Sequence, residues 1–130
     1  MVKNYRDLMV WQKSVKLAED IFRVSQSFPR EQLYVLASQM QRSALSVPSN
    51  IAEGRSRHSE KDFIYHLNIG RGSLAELETQ ITIACRLGFL SEKEKNIFFS
   101  KTEEITKMLH GLKTSLNKEK AKTYNLNPVN

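Results

Sequence analysis

The chain has 130 residues, 40% hydrophobic and 26% charged, with a formal net charge of +6 and a single cysteine. That leaves room for one domain around one core, in a composition typical of folded rather than disordered proteins. The lone thiol, Cys85, excludes an internal disulfide and a cysteine-rich zinc site; no run reaches the ~20 apolar residues of a membrane span, and no secretory apolar stretch opens the chain, so the expected setting is the cytoplasm with no membrane partner.

Five glycines and three prolines are too few to punctuate a sheet, so the expected class is all-α. Apolar residues spaced three and four apart mark helical seams, and four such seams follow in order. The first segment carries two rows: Leu8, Trp11, Val15, Ala18 and Phe22 on one side, and Leu17, Ile21, Val24 and Phe28 on another. Such a helix needs cover on two sides, from bundle neighbours or from another subunit. Phe28-Pro29 is expected to end it, because proline disfavours helical geometry in the residue before it.

The second seam runs Leu33, Ala37, Met40, Ala44, Val47 and Ile51 and passes across Pro48, which predicts a kink near Ser46 rather than a stop. Gly54 is expected to end this helix as a left-handed cap. Ser59 reads as the N-cap of the third helix, with Asp62 at the capping-box position. Its seam is Phe63, Leu67, Gly70, Leu74, Leu77, Ile81 and Ala84, closed by Gly88. Ser91 and Glu94 form a second capping box, followed by Phe98, Thr102, Ile105, Leu109, Leu112 and Leu116. Short connections make neighbours antiparallel, so the expected architecture is an up-down-up-down four-helix bundle over residues 1–117. Residues 118–130 read as a flexible polar tail.

Signatures of catalysis are missing: no glycine-lysine phosphate loop, no G-x-S-x-G and no H-E-x-x-H. His58, His66 and His110 fall on three different predicted elements, and none makes the Glu-x-x-His pair of a di-iron bundle. The expectation is a non-enzymatic chain with no catalytic residue, cofactor or metal. Glu76 and Glu78, two apart on a helix, point in different directions, and Cys85 beside Ile81 and Ala84 reads as a structural thiol.

Polar features are more informative on the second helix, where Gln39, Arg42, Ser46, Ser49 and Glu53 lie opposite the seam and Asn50 flanks them. A solvated face would account for the spacing, but short hydrogen-bonding residues outnumber the usual lysine–glutamate mixture, which suits a packed subunit contact. A basic knuckle follows, with Arg55, Arg57 and Lys61 around a helix start whose free backbone donors favour anions. Lys13 and Lys16 on the first segment, Arg42 on the second and Arg71 on the third complete the candidate phosphate contacts. Glu60 and Asp62 compete for the same helix end.

Three stretches carry a family resemblance. They are Tyr5-Arg6-Asp7-Leu8-Met9-Val10-Trp11-Gln12-Lys13, with Phe28-Pro29 after it; Gln39-Met40-Gln41-Arg42-Ser43-Ala44-Leu45-Ser46-Val47-Pro48-Ser49-Asn50-Ile51-Ala52-Glu53-Gly54; and Gly72-Ser73-Leu74-Ala75-Glu76-Leu77-Glu78-Thr79-Gln80. The chain resembles, over roughly residues 3–110, the four-helix-bundle proteins encoded in intervening sequences of bacterial large-subunit ribosomal RNA genes. That family is similar in fold to the accessory variability determinant of diversity-generating retroelements, a basic pentamer that binds nucleic acid and a reverse transcriptase. The resemblance implies a homo-oligomer, a pentamer, with RNA or DNA as partner, or a nucleic-acid enzyme. It implies a structural or subunit-contact role for Gln39, Pro48, Asn50, Glu53 and Gly54. Many relatives carry two adjacent arginines where this chain keeps only Arg42.

Two readings of different class follow. One is a non-enzymatic, basic, oligomeric nucleic-acid-binding protein, favouring RNA, that contacts phosphates with little sequence discrimination. The other is a protein–protein adaptor or structural oligomer, for example an accessory subunit of a nucleic-acid enzyme. A steep salt dependence of binding separates the first from the second.

Overall fold

The computed structural model describes the backbone of residues 4–126 and the side chains of residues 4–118. It contains four long helices, α1 (Met9–Ser25), α2 (Ser38–Ser56), α3 (Glu60–Arg86) and α4 (Glu92–Leu126), and no strand among the described residues. The fold is all-α, as the seams predict.

A short 3₁₀ turn, Tyr5–Asp7, leads into α1 and is capped by Asn4, whose Oδ1 accepts from the Arg6 amide at 2.9 Å. Of the two apolar rows on α1, the second faces the core: Leu17 and Ile21 are buried, and so is Phe28 beyond the helix. From the first row, Leu8 and Ala18 are buried too, but Trp11 and Val15 are only half-buried and Phe22 is 38% exposed. The helix stops at Ser25, before the expected Phe28-Pro29 boundary. Ser25 and Ser27 turn their hydroxyls back onto the carbonyls of Phe22 (3.1 Å) and Val24 (2.8 Å), competing with the ladder.

A 3₁₀ turn, Arg30–Gln32, and a wider π-type turn, Leu33–Ala37, precede α2. That widened turn buries Leu36 and Ala37 and leaves Tyr34 and Val35 outside. Pro48 lies buried within α2, which continues without a break to Ser56. The proline has no N–H to offer the Ala44 carbonyl, and the seam across it still closes, with Met40, Ala44, Val47 and Ile51 all buried.

Gly54 is not the left-handed cap that its place in the sequence predicts. It sits inside α2, and the left-handed residue of this connection is His58, at φ 57°. Gly54 is required for space instead. A Cβ there would lie 2.7 Å from His66 Cβ and 3.1 Å from Phe63 Cδ1, so α2 and α3 meet here at near backbone contact.

Ser59 caps α3 by accepting from the Asp62 amide at 3.2 Å, and Gly88 closes it at φ 82°. The second capping box is complete: the Glu94 amide donates to Ser91 Oγ (3.0 Å) and the Ser91 amide to Glu94 Oε1 (2.9 Å). Phe98, Thr102, Ile105 and Leu109 of α4 are buried, while Leu112 and Leu116 are half-buried. The helix itself runs on to Leu126, so the boundary expected at residue 117 falls inside α4, where Lys118-Glu119-Lys120-Ala121-Lys122 are good helix formers. Residues 127–130 of the expected tail lie outside the described residues.

Each helix packs on its neighbours in sequence, and α4 closes back on α1. Side-chain pairs fix the directions. Ser46 meets Ser73 and Asn50 meets His66 between α2 and α3; Glu78 meets Thr102 and Asn68 meets Lys113 between α3 and α4; Lys13 meets Glu104 and Asp20 meets Lys101 between α1 and α4. In every pair of helices one number rises as the other falls, so neighbours are antiparallel.

Candidate functional site

The antiparallel pairing divides the bundle into two ends. One holds the α2–α3 connection together with the start of α1 and the later turns of α4. The other holds the α1–α2 and α3–α4 connections. Residues 4–16, 48–72 and 105–118 make up the first end and carry ten lysines and arginines against four acidic residues. Residues 17–47 and 73–104 make up the second and carry seven against nine. The positive excess of the chain is therefore concentrated on the α2–α3 end.

The candidate phosphate contacts do not all share that end. Arg55, Arg57 and Lys61 surround the α2–α3 connection, with Arg57 and Lys61 exposed. Lys13 and Lys16 lie on the first turns of α1. Lys13 is 2.8 Å from Glu104, and Lys16 is 2.8 Å from Asp20. Lys101 approaches the same Asp20 carboxylate at 2.8 Å. Burial pushes the Asp20 carboxyl up, but the hydrogen bonds and charges of Lys101 and Lys16 outweigh it and hold the group below its ordinary range. Arg71 is exposed over a shallow groove between α3 and α4 that Glu78 also lines. Arg42 is exposed on α2 within the other end, separated from the knuckle by about three turns of helix.

The residues assigned to a subunit or structural role fall into two groups. Gln39 is exposed. Asn50 and Glu53 join a polar chain that crosses from α2 to α3 beside Gly54 and that the spacing of α2 alone does not reveal. Asn50 Nδ2 donates to the Ser46 carbonyl (2.9 Å) and to Ser46 Oγ (3.0 Å), which turns its Oδ1 toward His66 Nδ1 at 2.9 Å. His66 Nδ1 therefore carries the proton. Ser46 Oγ also meets Ser73 Oγ at 2.8 Å. Glu53 Oε2 lies 4.0 Å from His66, and Glu53 Oε1 accepts from Arg57 at 2.8 Å. The Arg57 hydrogen bond, followed by the nearby His66, keeps the Glu53 carboxyl below its usual value. His66 is buried, and its place three residues after Phe63 and four before Gly70 puts it on the α3 seam. That spacing was the available signal for it.

A cleft of 490 Å³ opens at the same basic end, where α1, the α2–α3 connection and α4 converge. Leu8, Phe63, Leu112 and Leu116 give it an apolar floor, and Arg55, His58, Ser59, Glu60 and Ser115 give it a polar edge. A second, shallower groove runs between α1 and α2. It is bounded by Val15 and Phe22, the part of the first α1 row that the core leaves open, by Leu45 and Pro48 of α2, and by Glu19 and Arg23. Of the ten large hydrophobic side chains that are exposed among the described residues, Phe22, Tyr34, Val35, Leu45, Ile83, Leu87 and Ile97 belong to the less basic end.

Among the described residues, no cluster of three His, Cys, Asp or Glu side chains is placed to hold a metal ion. No helix among them is long and apolar enough to cross a membrane. Cys85 donates to Glu92 Oε1 at 3.6 Å, and burial, then that carboxylate, push its thiol up, away from thiolate chemistry.

Comparison with known proteins agrees with the architecture. No curated protein matches the chain. A crystal structure of a protein of unknown function from the S23 ribosomal protein family of Bacteroides thetaiotaomicron superposes with a TM-score of 0.75 at 27% identity, covering 81% of this chain and 95% of that one. Residues 6–111, from the turn before α1 to the middle of α4, match the family described as the 23S rRNA-intervening sequence protein. A match of that extent, with the same fold beneath it, settles the relationship: the chain belongs to the 23S rRNA-intervening sequence protein family.

Proposed function

We propose that this chain is a non-enzymatic nucleic-acid-binding protein, favouring RNA, that works as a homo-oligomer and contacts phosphates with little sequence discrimination. The observation that carries the reading is the one-sided charge: ten basic residues against four acidic ones on the α2–α3 end. A polyanion is attracted to such a surface whatever its sequence, and each phosphate neutralised releases condensed counterions. Arg55, Arg57 and Lys61 form the centre of the contact, with Lys13, Lys16 and Arg71 on its flanks. Arg42, on the other end, belongs to the subunit contact in this reading.

Oligomerisation supplies what one subunit lacks, since several weak contacts engaged together gain avidity. The α1–α2 groove supports it: Leu45, 52% exposed, and Phe22 flank Val15 and Pro48 in a mainly apolar groove that Glu19 and Arg23 also line. The family resemblance makes a pentamer the expected assembly. The adaptor reading is favoured by a different observation, the exposed Tyr34 and Val35 of the widened turn, together with Leu87, on the end away from the charge.

The test is a binding titration of the purified chain against structured RNA and duplex DNA across salt concentrations, with its mass in solution measured in parallel. The proposal expects log Kd to rise linearly with log salt, with a slope of about 0.9 per phosphate neutralised on a duplex. Replacing Arg57 and Lys61 with alanine lowers that slope by about 1 for each phosphate that the side chains no longer neutralise. Absence of binding at low salt overturns the reading and leaves the adaptor.

A further inference from the structure

The cleft at the basic end differs from the rest of that surface in being apolar inside. Its floor is Leu8, Phe63, Leu112 and Leu116, and at 490 Å³ it falls within the range of small-molecule sites. Phosphates have no use for such a floor. A nucleobase does, because its faces are apolar and its edges carry donors and acceptors. The edge of the cleft answers both needs, since Arg55 provides donors and Glu60 provides acceptors for exocyclic amino groups.

We propose that this cleft accepts the base of one unpaired nucleotide, bulged or terminal, while the arginines and lysines around the α2–α3 connection hold the phosphates beside it. The proposal rests on the nucleic-acid reading above and adds the feature recognised: a base out of its stack, rather than a sequence. Charge complementarity selects the occupant, since a negatively charged chain reaches a cleft on the one end where basic residues outnumber acidic ones. A base already unpaired needs no unstacking energy to enter, so bulges and ends are preferred over continuous duplex. Phe63, 7% exposed, lines the site and remains part of the core.

Three probes test this with the full chain: a perfect RNA duplex, the same duplex with one bulged nucleotide, and the same duplex with an abasic bulge, the last two equal in length and charge. DNA versions of all three separate recognition of the base from recognition of the ribose. The bulged base should bind about tenfold more tightly than the abasic bulge, within the range for burying one base against a protein surface. Ser115 is exposed on the edge of the cleft, so Ser115→Trp fills the space without opening the core. It should bring the bulged and abasic probes to within about twofold of each other while leaving duplex affinity and thermal midpoint unchanged, and Ser115→Ala should retain the preference. Equal affinity for bulged and abasic probes overturns the cleft and leaves the phosphate reading standing. A preference that survives Ser115→Trp places the base elsewhere and overturns it too. No binding to any probe at low salt overturns both.

Discussion

The two ends of this bundle are built from the same four helices and do opposite things with their surfaces. The α2–α3 end carries the positive excess, the close approach at Gly54 and the His66 polar chain. The other end is nearly balanced in charge and carries seven of the ten exposed large hydrophobics among the described residues. Hydrophobic patches serve contacts between proteins, and single-sign charge serves contacts with polyanions. In the reading proposed above, self-association and partner docking fall to one end and nucleic acid to the other.

Charge reversal breaks this division most directly. Arg55→Glu with Lys61→Glu should weaken binding to structured RNA at low salt by about a hundredfold, whereas Arg30→Glu with Lys93→Glu on the other end should change it by less than about threefold. Equal losses from the two pairs, read in the same titration, would dissolve the distinction between the ends.

A smaller effect separates how tightly each part of the seam is closed. Gly54→Ala places a methyl 2.7 Å from His66 Cβ and should cost about 1–3 kcal/mol in urea denaturation, outweighing the better helix propensity of alanine. Gly70→Ala meets only Leu109 Cδ1, at 3.7 Å, and should be neutral or stabilising by up to about 1 kcal/mol.

The smallest expected change concerns Asp20, shared by Lys16 and Lys101. Its folded-state pKa lies below the unfolded value of about 3.9, so its contribution is complete above that pH and fades as pH falls through the folded value. Asp20→Asn should cost about 1 kcal/mol at neutral pH and leave a flatter acid limb in thermal melts below about pH 4.

Most of the scaffold was legible because helix seams and caps are local. The α3 seam, the Ser59 cap, the Ser91–Glu94 box and the turn at Gly88 each depend on residues a few positions apart. Gly54 misled for a related reason. A glycine near a helix end reads as a cap, and only the approach of Phe63 and His66 from the next helix shows that it is a spacing residue. The same holds for the candidate site. Asn50 and Glu53 stood out by position, but their link through His66 spans 16 residues from Asn50 and exists only once α2 and α3 are paired. Nor did the individual basic residues show which of them share a surface. That required the antiparallel register, which separates Arg42 from Arg55 and Arg57 and couples Lys13 to Glu104. On α1, two apolar rows were visible, yet their order of burial followed from which neighbours came alongside.

The near backbone contact at Gly54 has a consequence for how the basic end would meet a ligand. With Gly54 bringing α2 directly onto Phe63 and His66 of α3, the amides around Gly54 and Phe63 should exchange hydrogen with solvent only when the whole domain opens, while those of the widened turn at Leu33–Ala37 exchange through local fraying. The arginines of the knuckle then project from a frame that is already rigid. Binding there orders side chains but not backbone, and the entropy lost on association is smaller than for a flexible basic arm of equal charge.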